Sequence, residues 1–297
     1  MANVLSTGTL FPAALVPQLV SLVHGKSALA ALTQQTPIAF NGQREFTFTM
    51  DKEIDVVAEN GAKTVGGVTV TPVTIVPVKV EYGARISDQF VYASEAERLD
   101  YLKAFTQGFA AKVARGIDLM AFHGINPRTG SESEVIGSNC FDKLVTQTVT
   151  YDEAAVDENI EDAIALVQEK EYDVTGLVLS PAAKSALAAQ RTTDGARLYP
   201  QIAWGNEPGA INGLPTVGNA TLSANASSDR ALLGDFTGCF RWGYAKEIPM
   251  EIIRYGNPDN DAALGDLKGH NQIYLRAEAY IGWGILAPDA FAMIKVV

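Results

Sequence analysis

Cysteine is nearly absent: Cys140 and Cys239 are the only two in 297 residues, far apart and in no C-x-x-C spacing. That argues against a thiol redox motif, a zinc ribbon and a secreted disulfide framework, and a reduced cytoplasmic setting fits best. Histidine is scarce too. His24, His123 and His270 stand alone, with no i,i+4 partner and no cysteine neighbour to form a metal site, so each reads as a helix-end or loop residue. Basic residues number 23 against 34 acidic ones, a formal charge of −11, and no Lys/Arg run exceeds two. Sequence-independent grip on nucleic acid comes from cations neutralising phosphates, so dedicated DNA binding is not expected. No apolar run approaches the roughly 20 residues that cross a bilayer. Met1–Leu10 lacks the basic start and apolar stretch of a signal peptide, so neither export nor a membrane partner is expected.

What is present is pattern. Residues 1–40 mix apolar side chains with Pro12, Pro17, Gly25 and Pro37, offer at most one or two short helices, and read as an arm with little core of its own. A neighbouring subunit is expected to hold it. Phe46, Phe48 and Met50 alternate with Thr47 and Thr49, and Val76, Val78, Val80 and Tyr82 alternate with Pro77, Lys79 and Glu81, both at the period of a strand. Between them Glu59-Asn60-Gly61-Ala62-Lys63-Thr64-Val65-Gly66-Gly67 has turn chemistry, so the unit reads as a long hairpin. Pro72 and Pro77 cannot donate to a ladder and place its second arm at an edge. At about 3.3 Å per residue such arms reach on the order of 35–50 Å. A two-stranded ribbon is marginal alone in water, so this one must pack on its own domain or lie on another molecule.

Ser94 and Glu97 have the spacing of a capping box. From there Leu99, Leu102, Phe105, Phe109, Val113, Ile117 and Met120 form one apolar stripe, predicting a helix from about Ser94 to Phe122, roughly 40 Å long. Gly124, Asn126 and Pro127 end it. Helix and strand then alternate: Val156, Ile160, Ile164 and Val167 mark an amphipathic helix, Gly176–Leu179 a buried strand, and Ser180-Pro181 the start of a second helix. Short strands follow at 214–217, 231–236, 240–242 and 251–255, then a long one over 273–281 and an apolar one over 291–297.

Candidate reactive groups are few. Gly25-Lys26-Ser27 looks like the end of a phosphate-binding loop, but Val20 stands where its first glycine belongs. Neither G-x-S-x-G nor G-x-G-x-x-G occurs. Asp157, Glu158, Glu161 and Asp162 share one helix and read as a solvated face. Trp242, Tyr280 and Trp283 read as core or interface anchors. No catalytic residue, cofactor or metal ligand is expected, and a patterned chain without a reactive cluster points to assembly.

The order of arm, long hairpin, spine helix, α/β lobe and returning strands resembles the major capsid protein of tailed bacteriophages, the Hong Kong 97-type fold. The most specific residues are Ile273-Tyr274-Leu275-Arg276-Ala277-Glu278, Gly282-Trp283-Gly284 and Pro288-Asp289-Ala290-Phe291, with Gly213–Val217 as a second match. The resemblance implies an α+β chain divided into an N-terminal arm (1–40), an extended hairpin loop (41–86), a peripheral domain (87–126 and 266–297) and an α/β axial domain (127–265). It implies pentamers and hexamers of this chain in an icosahedral or prolate shell, enclosing double-stranded DNA without specific binding. The shell would be assembled in the host bacterial cytoplasm and located in the virion. A separate scaffold, portal or decoration protein is compatible with it, since no scaffolding segment precedes the arm. The hairpin tip, Glu59, Asn60, Gly61 and Lys63, is the expected contact between subunits. The type member cross-links through a hairpin lysine, a neighbour's asparagine and a glutamate; Lys63 is suitably placed, but no matching pair aligns, so a solvated lysine is expected. Two other functions fit less well: an encapsulin-like compartment around a cargo enzyme, less favoured because the arm is long, and a hydrolase with an unrecognised acidic site, disfavoured by the missing nucleophile and base.

Overall fold

The computed structural model describes residues 27–89, 95–207, 209–246 and 250–297, and for 95–101 the backbone alone. Of the arm expected over 1–40, residues 1–26 lie outside the described residues, as do His24, the Gly25-Lys26 pair and the Ser94 cap, while residues 27–40 are held by their own chain, with Ala28, Leu29 and Ile38 buried.

A short helix α1 (Ala28–Leu32) opens at Ser27, whose hydroxyl accepts from Ala30 N. Strands β1 (Gln43–Met50) and β2 (Val68–Ile75) pair antiparallel from Gln43↔Ile75 to Met50↔Val68. The hairpin exists, but its return strand is 68–75. Strand β3 (Val78–Ser87), expected to return along Phe46–Met50, pairs instead with β11 (Gln272–Ile285). Pro77 lies between β2 and β3, where a missing donor costs no ladder bond.

The spine α2 (Glu95–His123) forms where the stripe predicts it and is about 43 Å long. Leu102, Phe109, Val113, Ile117 and Met120 are all buried. Gly124, at φ +67°, turns the chain out of the helix while its N–H donates to Met120 O at 2.9 Å. The inward residues of β11 join the same core: Ala277, Ala279, Ile281 and Trp283 lie with Phe109, Val113 and Ile117. Along its other edge β11 pairs with β9 (Phe240–Lys246) and β10 (Glu251–Ile253).

The α/β lobe is built on a six-stranded sheet in the order β4-β12-β8-β5-β7-β6, comprising β4 (Thr148–Thr150), β5 (Gly176–Leu179), β6 (Ala210–Ile211), β7 (Leu214–Gly218), β8 (Asp229–Gly234) and β12 (Phe291–Lys295). A one-turn helix α3 (Phe141–Leu144) precedes it, and α4 (Val156–Gln168) and α5 (Pro181–Ala189) pack on it. Ser180 caps α5 through Ala183 N, with Pro181 in the first turn. The central strands face two cores. Val178, Leu232 and Met293 point into the spine core, while Leu177, Leu179, Leu233 and Ile294 meet the helices, which is why these strands read as continuous apolar runs.

Strand pairing therefore divides the chain differently from the expected boundaries. β12, grouped with the peripheral strands over 266–297, is internal to the sheet of the α/β lobe, and β9 and β10, grouped with 127–265, flank β11. Alternation marks which side of a strand is apolar, but the choice of pairing partner depends on tertiary packing.

Candidate assembly surface

The ribbon β1–β2 has two unlike faces. Its register puts Phe46 opposite Pro72, Phe48 opposite Val70 and Met50 opposite Val68, so one face is apolar from Phe46 outward, beyond the Arg44–Thr74 pair nearer the base. The other carries Thr47, Thr49, Thr69 and Thr71, with Thr47 Oγ1 donating to Thr71 O at 3.1 Å. Nothing among the described residues covers the apolar face: Phe46 is 64% exposed, Phe48 58% and Met50 70%. Such a strip on a soluble surface marks an interaction site.

At its far end the ribbon is closed by Asp51. Its N–H donates to Gly67 O at 3.2 Å, its carboxylate accepts from Gly67 N at 2.6 Å, and neighbouring Lys52 Nζ donates to Val65 O at 3.1 Å. The tip beyond is irregular and exposed, Ile54, Val56 and Val65 included. Glu59, Asn60 and Gly61 come together in one turn, closed by Gly61 N donating to Ala58 O at 2.8 Å, with Asn60 at φ +70°, a region asparagine tolerates. Lys63 is exposed two residues further on.

The base of the ribbon, by contrast, is fixed. Ile75 is buried against β11, where a Cβ on Gly284 would approach its side chain to 2.8 Å. The segment before β1 runs beside β9: Thr36 N donates to Trp242 O at 2.9 Å, Ile38 N to Tyr244 O at 3.3 Å, and Trp242 Nε1 to Thr33 O at 3.1 Å. Gly243 is required there, since any Cβ would lie 1.7 Å from Thr36 O. The ribbon is thus a firmly rooted extension with an unburied apolar face.

A second anchor was not foreseen from sequence. Asp118, wholly buried on the spine, accepts from Ser27 Oγ, from Ala28 N at 2.9 Å, from Asn219 Nδ2 at 2.7 Å and from Thr221 Oγ1 at 3.1 Å. One carboxylate thereby ties the start of α1 and the loop after β7 to α2. Burial raises its pKa to about 6 in spite of these donors. The available signal was an acid with Ala114, Ala121 and Phe122 at helical spacing, all buried.

The other singled-out residues are dispersed. Glu158, Glu161 and Asp162 are exposed, while Asp157 accepts from Gln190 Nε2 at 2.7 Å. His270 is exposed beside Asp266 O, and His123 is buried at the end of the spine. Burial raises both thiols, Cys239 to about 11 with Asp235 adding to the shift, so neither is poised as a thiolate. Trp242 and Trp283 are core anchors; Trp283 and Asn139 exchange two hydrogen bonds of 2.9 Å. No described helix is long and apolar enough to cross a membrane.

Comparison with known proteins agrees with this architecture. A solved chain from Mycobacterium phage Ogopogo is 30% identical, with 92% of each chain covered and a TM-score of 0.78. One from Gordonia phage Cozz is 24% identical, covering 92% of this chain and 87% of that one at a TM-score of 0.75. The capsid of a native GTA particle, computed with C5 symmetry, shares the fold at 14% identity, a TM-score of 0.66 and coverage of 91% and 90%. Among curated proteins none matches. The profile of the phage capsid family matches residues 7–296, so this chain belongs to that family and is a major capsid protein with the Hong Kong 97-type fold.

Proposed function

We propose that the chain assembles, as pentamers and hexamers, into a closed head around double-stranded DNA, with the ribbon and its tip reaching over a neighbouring copy. The carrying observation is the one-sided ribbon, which is rooted through Ile75 yet leaves Phe46, Phe48 and Met50 open. Burying those side chains on a neighbour stabilises the contact by about 1–2 kcal/mol each. Glu59, Asn60, Gly61 and Lys63 lie at the extremity, where they add polar contacts at the margin of that interface. The interfaces are heterologous, because an extension that reaches outward meets a different patch on the next copy, and such contacts close into rings. The net charge of −11 suits a container that encloses DNA without clinging to it. The chain acts by assembly, with no chemistry of its own. Assembly takes place in the host cytoplasm, and the product is the virion shell.

Deleting Asn60 to Gly67 tests this reading. The expected outcome is a folded subunit, by circular dichroism, that forms no shells or fragile ones under electron microscopy; normal and equally stable shells would refute the role given to the hairpin.

A further inference from the structure

At the end of the spine four charged side chains from distant parts of the chain meet, two of them buried and two, Asp142 and Lys295, about a quarter exposed. His123 closes α2, Asp142 lies in α3, Asp229 begins β8 and Lys295 ends β12. His123 Nδ1 lies 2.6 Å from Asp142 Oδ2 and 3.6 Å from Asp229 Oδ2, and its Nε2 lies 3.0 Å from Thr221 O. Lys295 Nζ stands 3.1 Å from Asp142 Oδ1 and 3.2 Å from Asp229 Oδ1. Ser227 Oγ donates to Asp229 Oδ2 at 2.7 Å. The His123 side chain is 6% exposed and that of Asp229 1%.

The protonation state follows from the partners. A carbonyl oxygen only accepts, and so does an ionised carboxylate, so a ring with one on each nitrogen must donate from both. Two cations then face two anions and the cluster is neutral. Removing the ring proton leaves two carboxylates against one ammonium and sets a lone pair against an acceptor, in a place where an unbalanced charge is costly. His123, Asp142 and Asp229 bring metal-type donor atoms within 4.8 Å of one another, but the cation in contact with both carboxylates is Lys295.

We propose that His123 is a buried imidazolium completing a four-charge latch, which ties the spine to α3 and to the two sheet strands β8 and β12 and loosens when the ring loses its proton. The groups facing the ring are Asp142 from α3, Asp229 from β8 with Lys295 of β12 behind both carboxylates, and the Thr221 carbonyl. Asp118, on the same helix, is linked through the Thr221 hydroxyl. The proton is held because Asp142, the Thr221 carbonyl and Asp229 together outweigh the opposing effect of burial, and the ring's pKa lies above the ordinary value. A group raised on folding contributes stability that is complete below its unfolded pKa and is lost as pH rises through the folded one. The loss is about tenfold in the folding equilibrium per pKa unit.

Three histidines make the test direct. In the full chain with nitrogen-labelled histidine, NMR should find both His123 ring nitrogens protonated at about pH 6.5, where an unperturbed ring is half neutral. Its signals are assigned by His123→Gln. The thermal midpoint of the wild-type chain should fall between about pH 6 and pH 9, and His123→Gln should flatten that fall. A neutral His123 at about pH 6.5, parallel pH slopes in the two chains, or His123 signals that shift on adding zinc would overturn the proposal. If the variant does not fold, assignment by elimination from His24→Gln and His270→Gln leaves the NMR measurement decisive.

Discussion

β1 and β11 carry the same alternation and meet opposite fates. In β11, Ile273, Leu275, Ala277, Ala279 and Ile281 are all buried, each no more than 3% exposed. In β1, Phe46, Phe48 and Met50 occupy equivalent alternate positions and remain open. The difference lies in what each strand is offered. β11 is flanked by β3 on one edge and by β9 and β10 on the other, with the spine core against its inner face, whereas β1 has β2 alone. A period of two therefore reports conformation and sidedness, and a separate covering surface decides whether the apolar side is core or interface.

The largest effects of substitution are expected on the buried side. Trp242, fully buried in β9 with its indole bonded to Thr33 O, anchors the segment leading into the ribbon. Trp242→Ala should cost about 3–5 kcal/mol of subunit stability in chemical denaturation. It should also free the segment around Thr36, detectable as faster amide exchange.

Asp118→Asn isolates the carboxylate's share of the junction's stability. Because the Asp118 pKa is raised to about 6, its contribution is complete below the unfolded carboxylate pKa and is lost as pH rises through about 6. The wild-type folding equilibrium should fall by about two powers of ten across that interval from this group alone. The asparagine variant should lack that component, read as the difference between the two chains' unfolding midpoints against pH.

Legibility followed the range of the interactions. The spine was readable to within a residue at its end because a stripe of Leu102, Phe109, Val113, Ile117 and Met120 with Gly124 beyond it is local information. So was the Ser180-Pro181 start of α5. The hairpin was legible as a unit, but not that its return strand is 68–75. Val68–Ile75 is a β-branched run and Val78–Tyr82 an alternating one, so both suit a strand, and β11, nearly two hundred residues away, takes the second. Asp118 and the His123 cluster escape a sequence reading for the same reason, since the members of that cluster lie up to 172 positions along the chain from His123 and the partners of Asp118 lie 90 to 103 from it. The hairpin tip was found as a turn, because Asn60 and Gly61 are local turn formers, while its use rests on contacts a single chain does not contain.

Under the proposed function the ribbon's apolar face is completed by a sister copy. The most direct test is Phe46→Ser with Phe48→Ser in one chain, measuring subunit unfolding and shell formation side by side. Both side chains stand mostly in solvent, so subunit stability should stay within about 0.5 kcal/mol of wild type, while intact shells under electron microscopy should be lost. Shells of normal yield and stability, or a subunit that unfolds as readily as a core variant, would contradict it.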